Sequence, residues 1–424
     1  MMRSPFLLRS VVFGFGGLLW GLPTLGQTPN NPNPTQKPRP IFPQLFPHPT
    51  GTNGYEDLVL ACDALQESDI YPKLDQNWSN TTLEEMRSAF ADPPVQKALL
   101  LLKNGLNKPI ASPQKMEEVE PLTLFPQYAF FRKLARLLSL KIFADAADGK
   151  SYEVIEATEM SLQIGYNVGQ DTLISGLVGI AIDAIAINRM AQFVAQLSLK
   201  ECDRLSSLLD SRLKAPLTAV KLFTNERDFT LRMLDKDRLK VDEILPLPTK
   251  DKEPLTEEEN ALRAKLTGDP AELKRLLEAS RDYVKTIYNT AIENASLSAW
   301  KRKPEMPHVV KESSVTMLGE LISPSYDQAL MRYDQNQARL QLLALHVAIR
   351  RFRWKHDRLP ATLKELKHPE LLTDPFTGEP LIYSILPQGE TYDLHSVGAI
   401  INDEVGKPTG VRNPLYLPPR LCES

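Results

Sequence analysis

Three cysteines, six histidines and no excess of charge of either sign remove several function classes from this 424-residue chain at once. Cys62, Cys202 and Cys422 lie far apart in the sequence and form no C-x-x-C pair, which excludes a disulfide-stapled scaffold and the common zinc and dithiol motifs. At most one pair can bridge in an oxidising compartment, and Cys62 and Cys202 read better as small buried apolar residues. The histidines, at 48, 308, 346, 356, 368 and 395, never take the H-x-x-x-H spacing that sets two imidazoles on one helix face. A formal net charge of −3, with no basic run interleaved with aromatics, argues against nucleic acid as a partner. No Walker loop, G-x-G-x-x-G or G-x-S-x-G is present.

What is present begins with Arg3 and Arg9, then an apolar run from Val11 to Leu22, then the small-residue end Thr24-Leu25-Gly26. That order is expected of a signal peptide over residues 1–26, and hence of an exported, periplasmic or extracellular protein that touches a membrane only peripherally. Residues 27–54 carry eight prolines among Asn, Thr and Gln and read as an extended linker.

Residues 55–323 read as a helical body, with stacked α-hairpins as one arrangement. Its strongest run is Tyr128 to Ser211, broken at Asp148-Gly149. That run is apolar enough to suggest that the body folds without the residues after it. Within the run, Leu173 to Leu197 resembles a membrane span. Asp183, Asn188 and Arg189 shorten its uncharged length, so a central core helix is expected, with Gly176 and Gly179 permitting close helix approach.

Residues 324–424 read as a small α+β module, so the fold class expected is mainly α with that module at the C-terminal end. Leu342, Leu345, Ile349 and Phe352 mark one face of a helix that must stop before Pro360. Asp374-Pro375-Phe376-Thr377-Gly378 is a turn in which Pro375 sets φ, Gly378 can take φ > 0 and Asp374 can accept backbone N–H groups. Phe376 is the natural plug between helix and strands. Residues 381–385 and 392–397 then form an antiparallel hairpin on the helix.

Leu359, Pro360, Leu363, Leu366, Asp374, Pro375, Phe376, Gly378, Tyr383, Tyr392, Asp393, Leu394, Ser396 and Gly398 together give a pattern that resembles the globular half of the type II secretion major pseudopilins, over about the last fifth of the chain. The resemblance implies a long helix carrying a small sheet. It also implies Ca²⁺ in an acidic loop after the last strand, where Asn402, Asp403 and Glu404 are the candidate ligands; a plain solvated turn is the other reading. Pseudopilins polymerise through a hydrophobic helix that follows a short leader, whereas more than three hundred residues precede the module here. A similar module ends long exported bacterial proteins of this layout.

Three functions remain open from the sequence. The first is a non-enzymatic binding or envelope-structural protein whose partner is an envelope protein or ligand. The second is an extracytoplasmic hydrolase with a site among Glu156, Glu159, Asp183, Asn188 and Arg189. The third is a divergent secretion-apparatus component. Asp393, His395 and Ser396 do not make a triad, since strand alternation sends Ser396 to the opposite face from the other two.

Overall fold

The computed structural model describes residues 40–76, 80–114, 125–235, 237, 239, 241–245, 254–302, 313–321, 326–387, 389–402 and 408–417. The signal-peptide reading, the first part of the linker, and Asp403, Glu404 and Cys422 lie outside the described residues.

The linker expected over 27–54 departs from an extended spacer once it reaches Pro40. Ile41 and Phe46 are buried around the short helix α1 (Phe42–Leu45), and the Asp63 carboxylate accepts from the N–H groups of Ile41 and Phe42, each at 2.8 Å. Two apolar side chains and one well-placed carboxylate offset a composition that otherwise favours solvent. Asp63 belongs to α2 (Gly54–Glu67), whose first turn is capped by Asn53.

The helices that follow start and stop where local chemistry sets them. α3 (Tyr71–Gln76) leads to α4 (Leu83–Ala91), which Thr82 and Glu85 open with a reciprocal capping box, and α5 (Pro93–Leu106) has its proline at the first helical position. α6 (Pro126–Ala147) and α7 (Ser151–Val168) are parted by the Asp148-Gly149 turn, as the sequence suggests. α8 (Leu173–Ala191) begins at a Thr172–Ser175 capping box. It is the described helix that is long and apolar enough to cross a membrane, and it lies packed among α6, α7 and the long helix α15 introduced below. A Cβ on Gly179 would stand 2.3 Å from the Gly165 carbonyl oxygen, so α7 and α8 approach as closely as backbones allow.

α9 (Leu199–Lys214) covers the other side of this layer. α10 (Ala219–Met233), α11 (Val241–Ile244), α12 (Glu257–Thr267), α13 (Pro270–Ala295) and α14 (Ser313–Leu321) build a second apolar cluster.

α15 (Tyr326–His356) runs through both clusters. Its first turns place Tyr326, Leu330 and Tyr333 in the second cluster. Its later turns place Leu340, Leu342, Leu343, Leu345, Val347 and Ile349 in the first, together with Leu359, Leu363, Leu381 and Leu394 from the chain beyond it. Each of the two clusters therefore draws on residues from both sides of position 323, where the sequence reading set a boundary.

The sheet is antiparallel in the order β1 (Ile382–Ile385), β2 (Tyr392–Asn402), β3 (Pro408–Tyr416). The expected hairpin is β1–β2, with Tyr383 opposite Leu394 and Ile385 opposite Tyr392. β3 is an addition that sequence patterning did not reveal. It pairs His395 with Tyr416 and Ser396 with Leu415, and an irregularity follows before Ala399 meets Asn413. Gly398 sits there at φ 73°, and a Cβ on it would stand 1.7 Å from the Asn413 carbonyl oxygen, so only glycine fits.

Candidate functional site

The five body residues proposed for hydrolysis occupy separate places. Glu156 on α7 pairs with Lys103 at 2.7 Å on the surface. Glu159 pairs with Arg204 at 3.2 Å, and that guanidinium also lies over the Tyr152 ring. Arg189 donates through Nε to Ser139 Oγ at 3.0 Å and covers the Phe143 ring, while Asn188 is exposed. Asn188 and Arg189 follow Asp183 by five and six residues on a helix of about 3.6 residues per turn, so they leave its face.

Asp183 is alone among them in being wholly enclosed, and its partners come from elsewhere. Its Oδ2 accepts from Arg212 Nη2 of α9 at 2.7 Å and from Asn336 Nδ2 of α15 at 3.0 Å. Arg212 also donates to the Ala215 carbonyl oxygen and lies flat over Tyr166, 4.6 Å from its ring centroid. Desolvation pushes the Asp183 carboxyl up, against the pull of Arg212 and Asn336. This buried ion pair and the Asn336 bond together tie α8, α9 and α15.

A second buried carboxyl was not singled out from the sequence. Glu226 of α10 accepts from the Leu173 N–H at the start of α8, at 3.4 Å, and burial pushes its carboxyl up to about 7. A signal for it existed: Leu222, Phe223, Thr230 and Met233 form the buried stripe of α10, and Glu226 falls in that stripe. Its folded pKa exceeds the unfolded value, so the folded state holds the extra proton. The stability this contributes is full below about pH 4.5 and is lost as pH rises through about 7, a change of about 3 kcal/mol. Glu226→Gln should therefore match the wild type near pH 4.5 and exceed it by about that amount at pH 8. Denaturant melts at the two pH values check this, and equal midpoints for both proteins at pH 8 would sink it.

The motif residues of the C-terminal module do converge, as a scaffold. Asp374 is fully buried; its Oδ1 accepts from the Phe376 N–H and its Oδ2 from the Val397 N–H, each at 2.8 Å. Pro375 sets the turn, Phe376 is buried, and Gly378, at φ 75°, lies under the Trp300 indole. Leu359 and Pro360 are buried, and the Pro360 carbonyl oxygen accepts from Tyr383 Oη at 2.7 Å. Tyr392 Oη is 2.7 Å from His346 Nδ1 on α15. Ser396 is fully buried, and its Oγ accepts from the Gly398 N–H. His395 lies on the opposite face, 3.1 Å from Asp393 and with its ring tilted against that of Tyr416, 4.5 Å between centroids, so the three residues form no triad.

Asn402 closes β2, and the structure gives no side-chain position for it. The other calcium candidates fall outside the described residues. Among the described residues no group of three or more His, Cys, Asp or Glu side chains is placed to hold a metal ion. The buried, unpaired state of Cys62 and Cys202 agrees with their reading as apolar residues.

The sheet and the residue after β1 also carry exposed large apolar side chains, divided between the two faces, since Ile382 and Ile385 lie three residues apart on one strand and Val411 and Tyr416 five apart on another. Ile382, Ile385, Leu386, Ile400, Val411 and Tyr416 are between 40 and 59% exposed. Neither edge favours addition of a further strand, because β1 is four residues long between Pro380 and Pro387, and β3 contains Pro408 and Pro414. No family model, curated protein or solved structure matches the chain.

Proposed function

We propose that the protein is an exported, non-enzymatic binding or envelope-structural component whose contact surface is the C-terminal sheet. The observation that carries this reading is concentration: the small sheet and the end of β1 hold six of the eleven exposed large apolar side chains among the described residues, and apolar exposure concentrated in one region is a mark of an interaction surface. The basic, apolar and small order at the start of the chain supports export. The dispersal of Glu156, Glu159, Asp183, Asn188 and Arg189 removes the site on which the hydrolase reading rested.

The likeness of the module to pseudopilin globular domains supports an envelope role, but not one in filament growth. α15, the counterpart of the pseudopilin helix, is covered along its later turns by α8, α9 and the sheet, which leaves it no free apolar stripe for polymerisation.

A photo-crosslinking residue at Val411 or Tyr416, compared with one at Leu100 or Tyr152, tests the contact surface in intact cells; all four positions are well exposed. Adducts in the envelope fraction are expected from the first pair only. Equal yields from the two pairs, or none from the sheet, would reject the sheet as the contact surface.

A further inference from the structure

We propose that acidification releases the C-terminal sheet from α15 through protonation of His346, a pH-sensitive joint that stands independently of the function proposed above. His346 is 1% exposed, at the seam between the long helix and the sheet. Its Nδ1 meets Tyr392 Oη at 2.7 Å, and the two rings lie 5.5 Å apart, with the Tyr383 ring next to that of Tyr392. Its Nε2 makes no hydrogen bond of good geometry, while the Leu417 backbone, just past β3, acts on the ring in favour of its charged form.

A neutral imidazole suits this pocket, because one ring nitrogen can act as donor or acceptor with the single hydroxyl available. The cation does not. Its two N–H groups face Tyr392 Oη and the Leu417 backbone as acceptors, but it places a full charge where water is excluded, and that burial outweighs the Leu417 bond.

Beyond the Leu417 backbone, the groups that face the pocket offer no compensation. From α15 come Arg350 and Arg353, whose charges reach the Tyr392 hydroxyl; from β2 and β1 come only the neutral phenols of Tyr392 and Tyr383; beyond Tyr383 lies Glu365, already bonded to Arg358. The segment after β3 contributes the Leu417 backbone. The nearest charges are thus positive, and opening the seam is the way the imidazolium reaches water.

The imidazole is held at about 4 when enclosed and returns to its ordinary value of 6.5 when the sheet lifts. The open fraction should then rise about 30-fold between pH 7.5 and pH 5. Hydrogen exchange on the full chain at those two pH values, with rates corrected for the intrinsic effect of pH on exchange, reads this directly. Amides of Tyr392 to Gly398 are expected to lose protection by that factor, while amides of Val154 to Leu162 in α7 keep theirs. In His346→Gln the sheet protection should not depend on pH, and in His395→Gln, on the outer face, the dependence should persist. Unchanged sheet protection in the wild type overturns the proposal without any variant. So does a loss shared equally by α7, or a pH dependence that survives His346→Gln.

Discussion

A chain ended at Ser323 should yield a product that binds hydrophobic dyes and shows no cooperative melt, the reverse of what the apolar content of the helical body suggests when read alone. The reason is the path of α15. Removing it strips Leu340, Leu342, Leu343, Leu345, Val347 and Ile349 from the first core cluster and Tyr326, Leu330 and Tyr333 from the second. Burying each such side chain is worth about 1.5–3 kcal/mol. Nine of them together exceed the net stability of about 5–15 kcal/mol that a folded domain retains. Matching apolar faces on α8, α9, α10 and α13 would meet water at the same time. Near-ultraviolet circular dichroism and a thermal scan of the truncated chain decide the question. A sharp transition with native-like aromatic signals would mean that the two clusters survive without their shared helix.

The elements legible in the sequence are those specified by neighbours in the chain. The break at Asp148-Gly149, the end of α15 before Pro360 and the β1–β2 hairpin all follow from residues within a few positions of one another. What the sequence concealed depends on partners far along the chain. Asp374 was legible as an acceptor for its own turn, through Phe376, but its second bond goes to Val397 across the sheet, 23 residues on. With both oxygens engaged and the side chain buried, an amide at this position cannot replace the carboxylate at little cost.

β3 was hidden for a different reason. Pro408, Gly410, Asn413 and Pro414 remove the alternation by which strands are recognised, and an edge strand tolerates them because one side of its backbone needs no partner. The docking of Ile41 and Phe46 was masked by the surrounding prolines, since composition averages over a segment while burial is decided by single side chains. Among candidate site residues, Asp183 was noticed for the wrong property. It reads as an interruption of an apolar run, whereas its position is fixed by Arg212 and Asn336, 29 and 153 residues away. No local pattern encodes those distances.

Arg212→Met should cost about 3–5 kcal/mol, the penalty for leaving one member of a buried ion pair without its partner. Asp183 has no exposed surface, and the loss of Arg212 leaves Asn336 as the remaining donor to its Oδ2. The carboxyl, already raised by desolvation, must then rise further, because the guanidinium that opposed that rise is gone. The sign of the pH dependence follows. The folded variant binds a proton that the unfolded chain has released, so its deficit against the wild type should be smallest in acid and grow as pH rises above the ordinary aspartate range. Asp183→Asn combined with Arg212→Met removes both charges, keeps an oxygen to accept from Asn336 Nδ2 and preserves the packing against Gly165. The double variant should recover most of the loss and show no added dependence on pH. Denaturant melts of the wild type, Arg212→Met and the double variant at pH 5 and pH 8 measure all of these quantities. A single variant within 1 kcal/mol of the wild type at pH 8, well short of the buried-pair penalty, would mean that water reaches Asp183. A double variant no more stable than the single would mean that the Arg212 side chain contributes by filling space over Tyr166, and not by its charge.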